Sequence, residues 1–409
     1  MQLSWKNDKW YTSPWNFAPE VLATQQFSPK IKIHDISLRD GEQQAGIVFN
    51  KDQKVQIAEK LAEIGIHRIE AGMASVSKED EAAIREIVKR NLGPEIFAFS
   101  RCMKDDVKLA ADCGVKGIIV EIPASEHIVK YAYRWEYEKA VDLAIEATQY
   151  AKECGLYTVF FPIDGSRTDI DLFLDLIVRV STEGHMDALA IVDTFGGLNP
   201  NTCTYLVRKV KERINKPLEA HFHDDFGLAA ANTLMALSAG VEVAHTTVSG
   251  IGERAGNAAY EDLALALLTM YGIDLGLNYH LIYPLSLFMR DLCKLKVRQN
   301  RGIIGEDIHK IESGIVADWY RNVKDIAPLE LSPYLYSLTG HPEPEIVIGK
   351  CSGMATIEIF LGKMGITCDD LELKRKILTQ VKQQSIEVGG LLSFGQFRKI
   401  VDEFENELG

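Results

Sequence analysis

The chain reads as an α/β protein built on a closed (β/α)8 TIM barrel, with a smaller, mostly helical C-terminal subdomain. Three observations predict this. Short apolar, β-branched runs alternate eight times with longer runs of helical period between residues 31 and 270. Alternating strand and helix implies parallel strands, and eight such units suit closure into a barrel. No strand candidate runs straight into a G-x-G-x-x-G turn, which argues against an open, doubly wound sheet; the nearest match, Gly250-Ile251-Gly252, leads into Glu253-Arg254. The expected division is an N-terminal arm over residues 1–29, a catalytic barrel over 30–290, and a linker with a helical subdomain over 291–409.

Taken in order, Trp5–Pro29 is rich in aromatics and proline. Its Trp10, Tyr11, Trp15 and Phe17 recur too irregularly for an amphipathic element, so the segment reads as an arm packed on the body or on a neighbouring subunit. The strand candidates follow: Ile31–Ile36, Ile66–Ala71, Glu95–Phe99, Gly117–Ile122, Tyr157–Phe161, Ala188–Val192, Leu218–Phe222 and Val243–Val248. Helical patterns lie between them at Asp52–Ile64, Lys78–Lys89, Lys104–Asp112, Trp135–Glu153, Ile170–Ser181, Thr204–Arg213, Leu228–Ala239 and Ala259–Met270. From about Asp291 the rhythm changes. Arg298–Gly305 and the proline-rich Pro328–Pro344 read as linker and loop, then Ala355–Gly362, Leu373–Gln384 and Ser393–Leu408 as helices.

Composition narrows the function. A net charge of −13 with no basic stripe or tail argues against nucleic acid. No apolar run approaches a membrane span, and MQLSWKNDKW lacks the form of a signal peptide. Seven cysteines stand singly without a C-x-x-C, which favours reduced thiols in the cytoplasm over a disulfide frame.

Barrel enzymes place their chemistry at the C-terminal ends of the strands. Here those ends carry Asp35 and the Arg39–Gln43 loop, Glu70, Ser100-Arg101, Glu121, Asp164 with Arg167, Asp193-Thr194, His221 and His223, and Thr246-Thr247. Some of these suit helix caps, notably Ser125, Asp193 and Thr194. So many acids and bases on one mouth would be costly without a cation or substrate to balance them. His221 and His223 stand two apart at a strand end, so their imidazoles share a face. Two imidazoles and one carboxylate with open positions make a workable divalent-metal site. Asp40, after the first strand, is the natural third ligand, because first and last strands close against each other.

At this point the residues carry a resemblance. HDISLRDGEQQAG resembles the first-strand motif of the DRE-TIM metallolyase superfamily, and HFHDDFG with GIGERAGN resembles its metal-binding and glycine-rich segments in the 2-isopropylmalate/homocitrate synthase branch. IEAGMA, and more weakly GEDIHKIESGI and GKCSGM, extend the likeness over about residues 30 to 400. The resemblance implies a Claisen-type condensation of acetyl-CoA with a 2-oxo acid in a homodimer, using Mn2+, Mg2+ or Zn2+. It further implies Asp40, His221 and His223 as metal ligands, Asn257 beside or completing the site, and Arg39 stabilising the enolate or oxyanion. Thr247 would hold the oxo-acid carboxylate, Ser125 and His127 match positions that contact substrate, and Glu70 would tune substrate size or pair with Arg39 or Arg101.

Departures from that pattern matter as much. The glycine loop lacks the cysteine of the lyase branch. The synthase branch carries Glu-Asp where FFPIDGSR has Ile163-Asp164, and a histidine where the C-terminal motif has Ile311. Isoleucine cannot transfer a proton. Asp164, His309 and Glu312 are the candidates left for that work, with Tyr320 nearby. The chain ends before the regulatory domain that some synthases add, so no feedback control is expected. Two other readings stay open: a metal-dependent lyase or aldolase on the same scaffold, and a binding paralogue without catalysis.

Overall fold

A computed structural model describes residues 4–404. They form two compact units, one spanning Ser13–Lys296, the other running from Val297 onward together with the residues up to Thr12. The first boundary between the units falls at Ser13. Its cause is backbone pairing: Tyr11 N–H donates to the Pro333 carbonyl at 2.9 Å, and Trp10 bridges to Tyr334.

The first unit is a closed barrel of eight parallel strands in chain order. They are β1 (Lys32–Asp35), β2 (Arg68–Glu70), β3 (Glu95–Arg101), β4 (Gly117–Pro123), β5 (Tyr157–Ile163), β6 (Ala188–Asp193), β7 (Leu218–Phe222) and β8 (Val243–Thr246). Closure is the pairing of β1 with β8, where His34 lies opposite His245 and Asp35 opposite Thr246. The helices between them are α1 (Lys51–Ile64), α2 (Lys78–Arg90), α3 (Lys104–Asp112), α4 (Tyr137–Glu153), α5 (Ile170–Thr182), α6 (Pro200–Lys211), α7 (Ala229–Ser238) and α8 (Tyr260–Met270).

Local chemistry sets these boundaries. Asn50 and Gln53 form a reciprocal capping box on α1, and Ser77 and Asp169 cap α2 and α5. The α6 helix begins at Pro200, four residues before its apolar period shows. Asn199 accepts from the Thr202 N–H, and a proline at the first helical position gives up a donor that would be unpaired anyway.

The barrel interior has two characters. Phe97, Phe99, Ile119, Val159, Phe161, Ala188, Ala190 and Val192 pack as one apolar cluster. Gly117 is fixed by it, since a Cβ there would collide with the Phe97 ring and the Tyr157 carbonyl. Across the interior His34, Glu70, Glu219 and His245 are buried, and charge that deep must be paired. Arg68 Nη1 donates to Glu219 at 2.7 Å, and His245 Nε2 lies 2.7 Å from the other oxygen of Glu219.

A further long helix, α9 (Ile282–Cys293), follows the barrel in this unit. The second unit holds a two-stranded parallel pair, β9 (Lys310–Ile311) and β10 (Glu345–Ile346), with helices α10 (Gly314–Val323), α11 (Met354–Lys363), α12 (Leu371–Val388) and α13 (Phe394–Asp402). Its own core gathers Ile348, Ile357, Phe360, Leu373, Ile377, Val381, Phe397 and Ile400. The expected final helix reached residue 408; the described part ends at Asp402, and residues 405–408 lie outside the described residues. Among the described residues no helix is long and apolar enough to cross a membrane.

Candidate active site

The loops after β1, β7 and β8 build one buried constellation. Asp40 follows β1, and its Oδ2 stands 3.5 Å from His221 Nε2 and 3.8 Å from His223 Nε2. The two Nε2 atoms are 3.4 Å apart. Period-two geometry on β7 puts both imidazoles on the inner face, and the bridge between His223 and Asn257 pins the glycine loop against the strand end. Asn257 Nδ2 donates to Asp40 Oδ1 at 2.8 Å, leaving its own Oδ1 without a partner.

The glycines of this loop are dictated by space. Gly252 has φ of 147°, and a Cβ there would fall on the Asn257 amide and lie 2.9 Å from Asp40 Oδ1. Thr247 at its entrance donates to the Ile251 carbonyl at 2.7 Å, so its hydroxyl shapes the loop.

These donors fit a divalent cation. Atoms about 2.1 Å from a common centre stand about 3.0–3.4 Å apart, close to the separations here. Facing Nε2 atoms and a carboxylate oxygen cannot all satisfy one another, whereas a cation satisfies all three. Burial, and then the neighbouring His223, hold the His221 imidazole well below its ordinary pKa, so it stays neutral as a ligand must. A second group, His34, Glu219 and His245, also brings metal-capable atoms together. Its carboxylate is already neutralised by Arg68, and it reads as barrel packing.

Arg39 stands beside the constellation. Its Nε donates to Glu70 and its Nη1 to Asp40 Oδ2 (2.9 Å) and Gln43 (3.1 Å), while Nη2 is buried without a partner. The guanidinium lies 4.2 Å from the Phe99 ring centre. Glu70 is fully buried. Desolvation opposes its charge, but Arg39 and then His34 outweigh it and bring the carboxyl down to about 2. Of the pairings weighed for Glu70, the one with Arg39 is present, whereas Arg101 is taken by Asp106.

Other candidates fall elsewhere. Ser125, His127, Asp164 and Arg167 line one cavity of about 390 Å³ at the ends of β4 and β5. Ser125 accepts from the Ile128 N–H at 3.4 Å as a cap, and His127 packs against Tyr131. Asp164 has left-handed φ of 59°, and Arg167 grips its carboxylate through two bonds of 2.6 and 3.0 Å. His309 and Glu312 belong to the second unit. His309 shares a cavity of about 630 Å³ with Tyr320, Lys324 and His341, and Glu312 accepts from the Cys351 N–H at 2.9 Å.

Three comparisons bear on this arrangement. The HMGL-like family model matches residues 30–288. Homocitrate synthase AksA of Methanothermobacter thermautotrophicus is 36% identical over 96% of this chain and 97% of its own length. The putative (R)-citramalate synthase CimA of Archaeoglobus fulgidus is 38% identical over 87% of this chain and 71% of its own. The probable 2-isopropylmalate synthase of Ignicoccus hospitalis is 36% identical over 92% and 93%. Among solved structures, the HMG-CoA lyase of Bacillus subtilis superposes with a TM-score of 0.60 at 20% identity, covering 66% of this chain and 96% of that one, a likeness of fold.

Proposed function

This chain belongs to the HMGL-like family, and from that premise we propose that it condenses acetyl-CoA with a 2-oxo acid in a divalent-metal-dependent, Claisen-type reaction. Its kin among homocitrate, isopropylmalate and citramalate synthases make it an acyltransferase of the same type. The observation that carries the reading is the convergence of Asp40, His221 and His223 beside an arginine with a spare N–H.

In this reading Asp40, His221 and His223 hold the cation, with Asn257 orienting Asp40. Bound there, the cation supplies Lewis-acid polarisation of the ketone. Arg39, fixed by Glu70, offers its free Nη2 to the oxygen on which negative charge develops. Thr247 keeps the oxo-acid end of the mouth in shape, and Ser125 and His127 border the adjoining cavity. Asp164 is held by Arg167 and acts through the shape of its turn. His309 belongs to the second unit, which in this reading works as part of a cytoplasmic homodimer; Glu312 braces that unit's Cys351 loop.

Thiol release from acetyl-CoA, followed with Mn2+ or Mg2+ and a panel of 2-oxo acids, tests the proposal. The expected result is metal-dependent thiol formation with one or a few acceptors. No thiol with any acceptor would overturn it, and formation of a 2-oxo acid from a hydroxy acid would establish a lyase instead.

A further inference from the structure

A condensation of this kind needs a group that removes a proton from the acyl methyl, and Ile163 and Ile311 cannot. We propose that Glu121 is that general base, relocated by one strand from the position Ile163 occupies on β5; this rests on the synthase reading above.

Register gives the placement. Glu121 is paired with Arg101 on β3 and with Phe161 on β5, and Ile163 is opposite Pro123, one inward-facing position further along. Register partners in parallel strands share a face. Phe161 meets the His221 ring at 4.8 Å and the Phe99 ring at 5.6 Å, so that face is the barrel interior. Glu121 therefore projects into the barrel, one strand over from Ile163, on the layer that carries a proposed metal ligand's ring.

Its carboxylate is also available. Glu70 is bound to Arg39, Asp164 to Arg167, and Asp193 to Ser166 and the N–H groups of Gly197 and Leu198. Glu121 accepts one hydrogen bond, from Tyr133 Oη at 3.4 Å, and stays partly exposed. The two guanidiniums that feel its charge are engaged elsewhere, Arg39 with Glu70 and Asp40 and Arg101 with Asp106. Burial raises its proton affinity more than Arg39, Tyr133 and Arg101 lower it, which favours a carboxylate that accepts a proton nearer neutrality.

The step balances within the substrates. Glu121 takes one proton from the methyl carbon, and that C–H pair becomes the enolate. The enolate carbon forms the new C–C bond to the ketone carbon, whose π pair moves to oxygen, and the protonated Glu121 returns its proton to that alkoxide. Water then cleaves the thioester to a carboxylate and the thiol, releasing one proton to solvent. Arg39 Nη2 is the donor free to meet the negative oxygen.

The test compares wild type with Glu121→Gln for thiol release in the presence of Mn2+, across pH. The groups facing Glu121 are Arg39, Arg101, Cys102, Asp106 and Tyr133. Expected are a kcat lower by about 10²–10⁴-fold, a KM for the oxo acid within about threefold of wild type, and loss of the acid limb of the pH profile. Tyr133→Phe removes the donor that lowers the Glu121 pKa, so its acid limb moves to higher pH, and this holds the proposal to account if Glu121→Gln does not fold. An active wild type with a Glu121→Gln kcat within threefold, or an unmoved limb in Tyr133→Phe, would overturn the role of Glu121. A wild type that releases no thiol with any acceptor fails the synthase reading itself.

Discussion

Arg39 and Asp40, neighbours in sequence, are also hydrogen-bond partners, with Nη1 donating to Oδ2 across 2.9 Å. In the proposed reading the pair joins two roles, holding the cation and meeting the negative oxygen, that the strand end must keep in register. Asp40 faces the histidines of β7, while Arg39 turns back to Glu70 on β2. Glu70 therefore bears directly on Arg39, while Asp40 keeps its own contacts to Asn257 and the histidines.

Glu70→Ala removes the carboxylate that positions the guanidinium. It leaves Arg39 buried with a broken pair, a change worth about 3–5 kcal/mol of stability. Thermal unfolding should show a clearly lowered Tm, and the folded fraction should lose kcat with little change in metal affinity. A variant with wild-type kcat would show that Arg39 needs no such support.

Gly252→Ala tests the loop geometry. The new methyl must displace the Asn257 amide or the Asp40 carboxylate, and a non-glycine residue at that φ adds about 1–3 kcal/mol of strain. Weaker metal binding is expected together with a lower Tm. Metal affinity equal to wild type would mean that Asn257 and Asp40 need not keep their present contact.

Arg68→Ala should act on stability alone. It strips Glu219 of its buried cation below the reactive end of the barrel, at a cost of about 3–5 kcal/mol. Chemical denaturation measures this, and a loss under 1 kcal/mol would contradict the pairing.

Acid should destabilise the barrel in steps whose sign follows from the buried groups. Burial lowers the His34 pKa to about 4, so its contribution is present above 6.5 and is lost as pH falls through 4. Glu70 and Glu219, each held down to about 2, contribute above about 4.5 and lose this as pH falls toward 2. Asp35, raised by burial to about 7, works the other way, favouring the fold at low pH and losing that as pH rises through 7. A melting series should therefore change little between about pH 7 and 4.5, where His34 and Asp35 oppose each other, and fall below about 4.5 as Glu70 and Glu219 protonate. His34→Gln should remove the opposing loss and leave stability rising toward acid between about 6.5 and 4.5.

Much of this was legible in the sequence. The eight strands fall within about two residues of their expected bounds, because β-branched runs separated by helical periods leave little choice. The HFH pair and the RD pair pointed to one mouth, since strand ends of a barrel must converge. Two helices of ten or more residues escaped notice. Ile282–Cys293 carries Pro284 in its first turn, and Gly314–Val323 begins inside a stretch that reads as a motif. The buried set of His34, Arg68, Glu219 and His245 depends on barrel register, which brings β1 beside β8 and spacing along the chain does not reveal. Glu121 was visible only as one polar strand end among many; its inward face appears with the register, and its two nearest guanidiniums prove to be engaged with other carboxylates.

The most direct test of the central claim is a titration of Mn2+ into the full chain and into His223→Ala, followed by calorimetry. Asp40, His221 and His223 as ligands predict one site per chain in the wild type and an affinity weaker by at least about 10²-fold in the variant, with the melting curve still cooperative. Equal affinity in a folded His223→Ala protein would contradict the metal centre, and with it the chemistry built around Arg39.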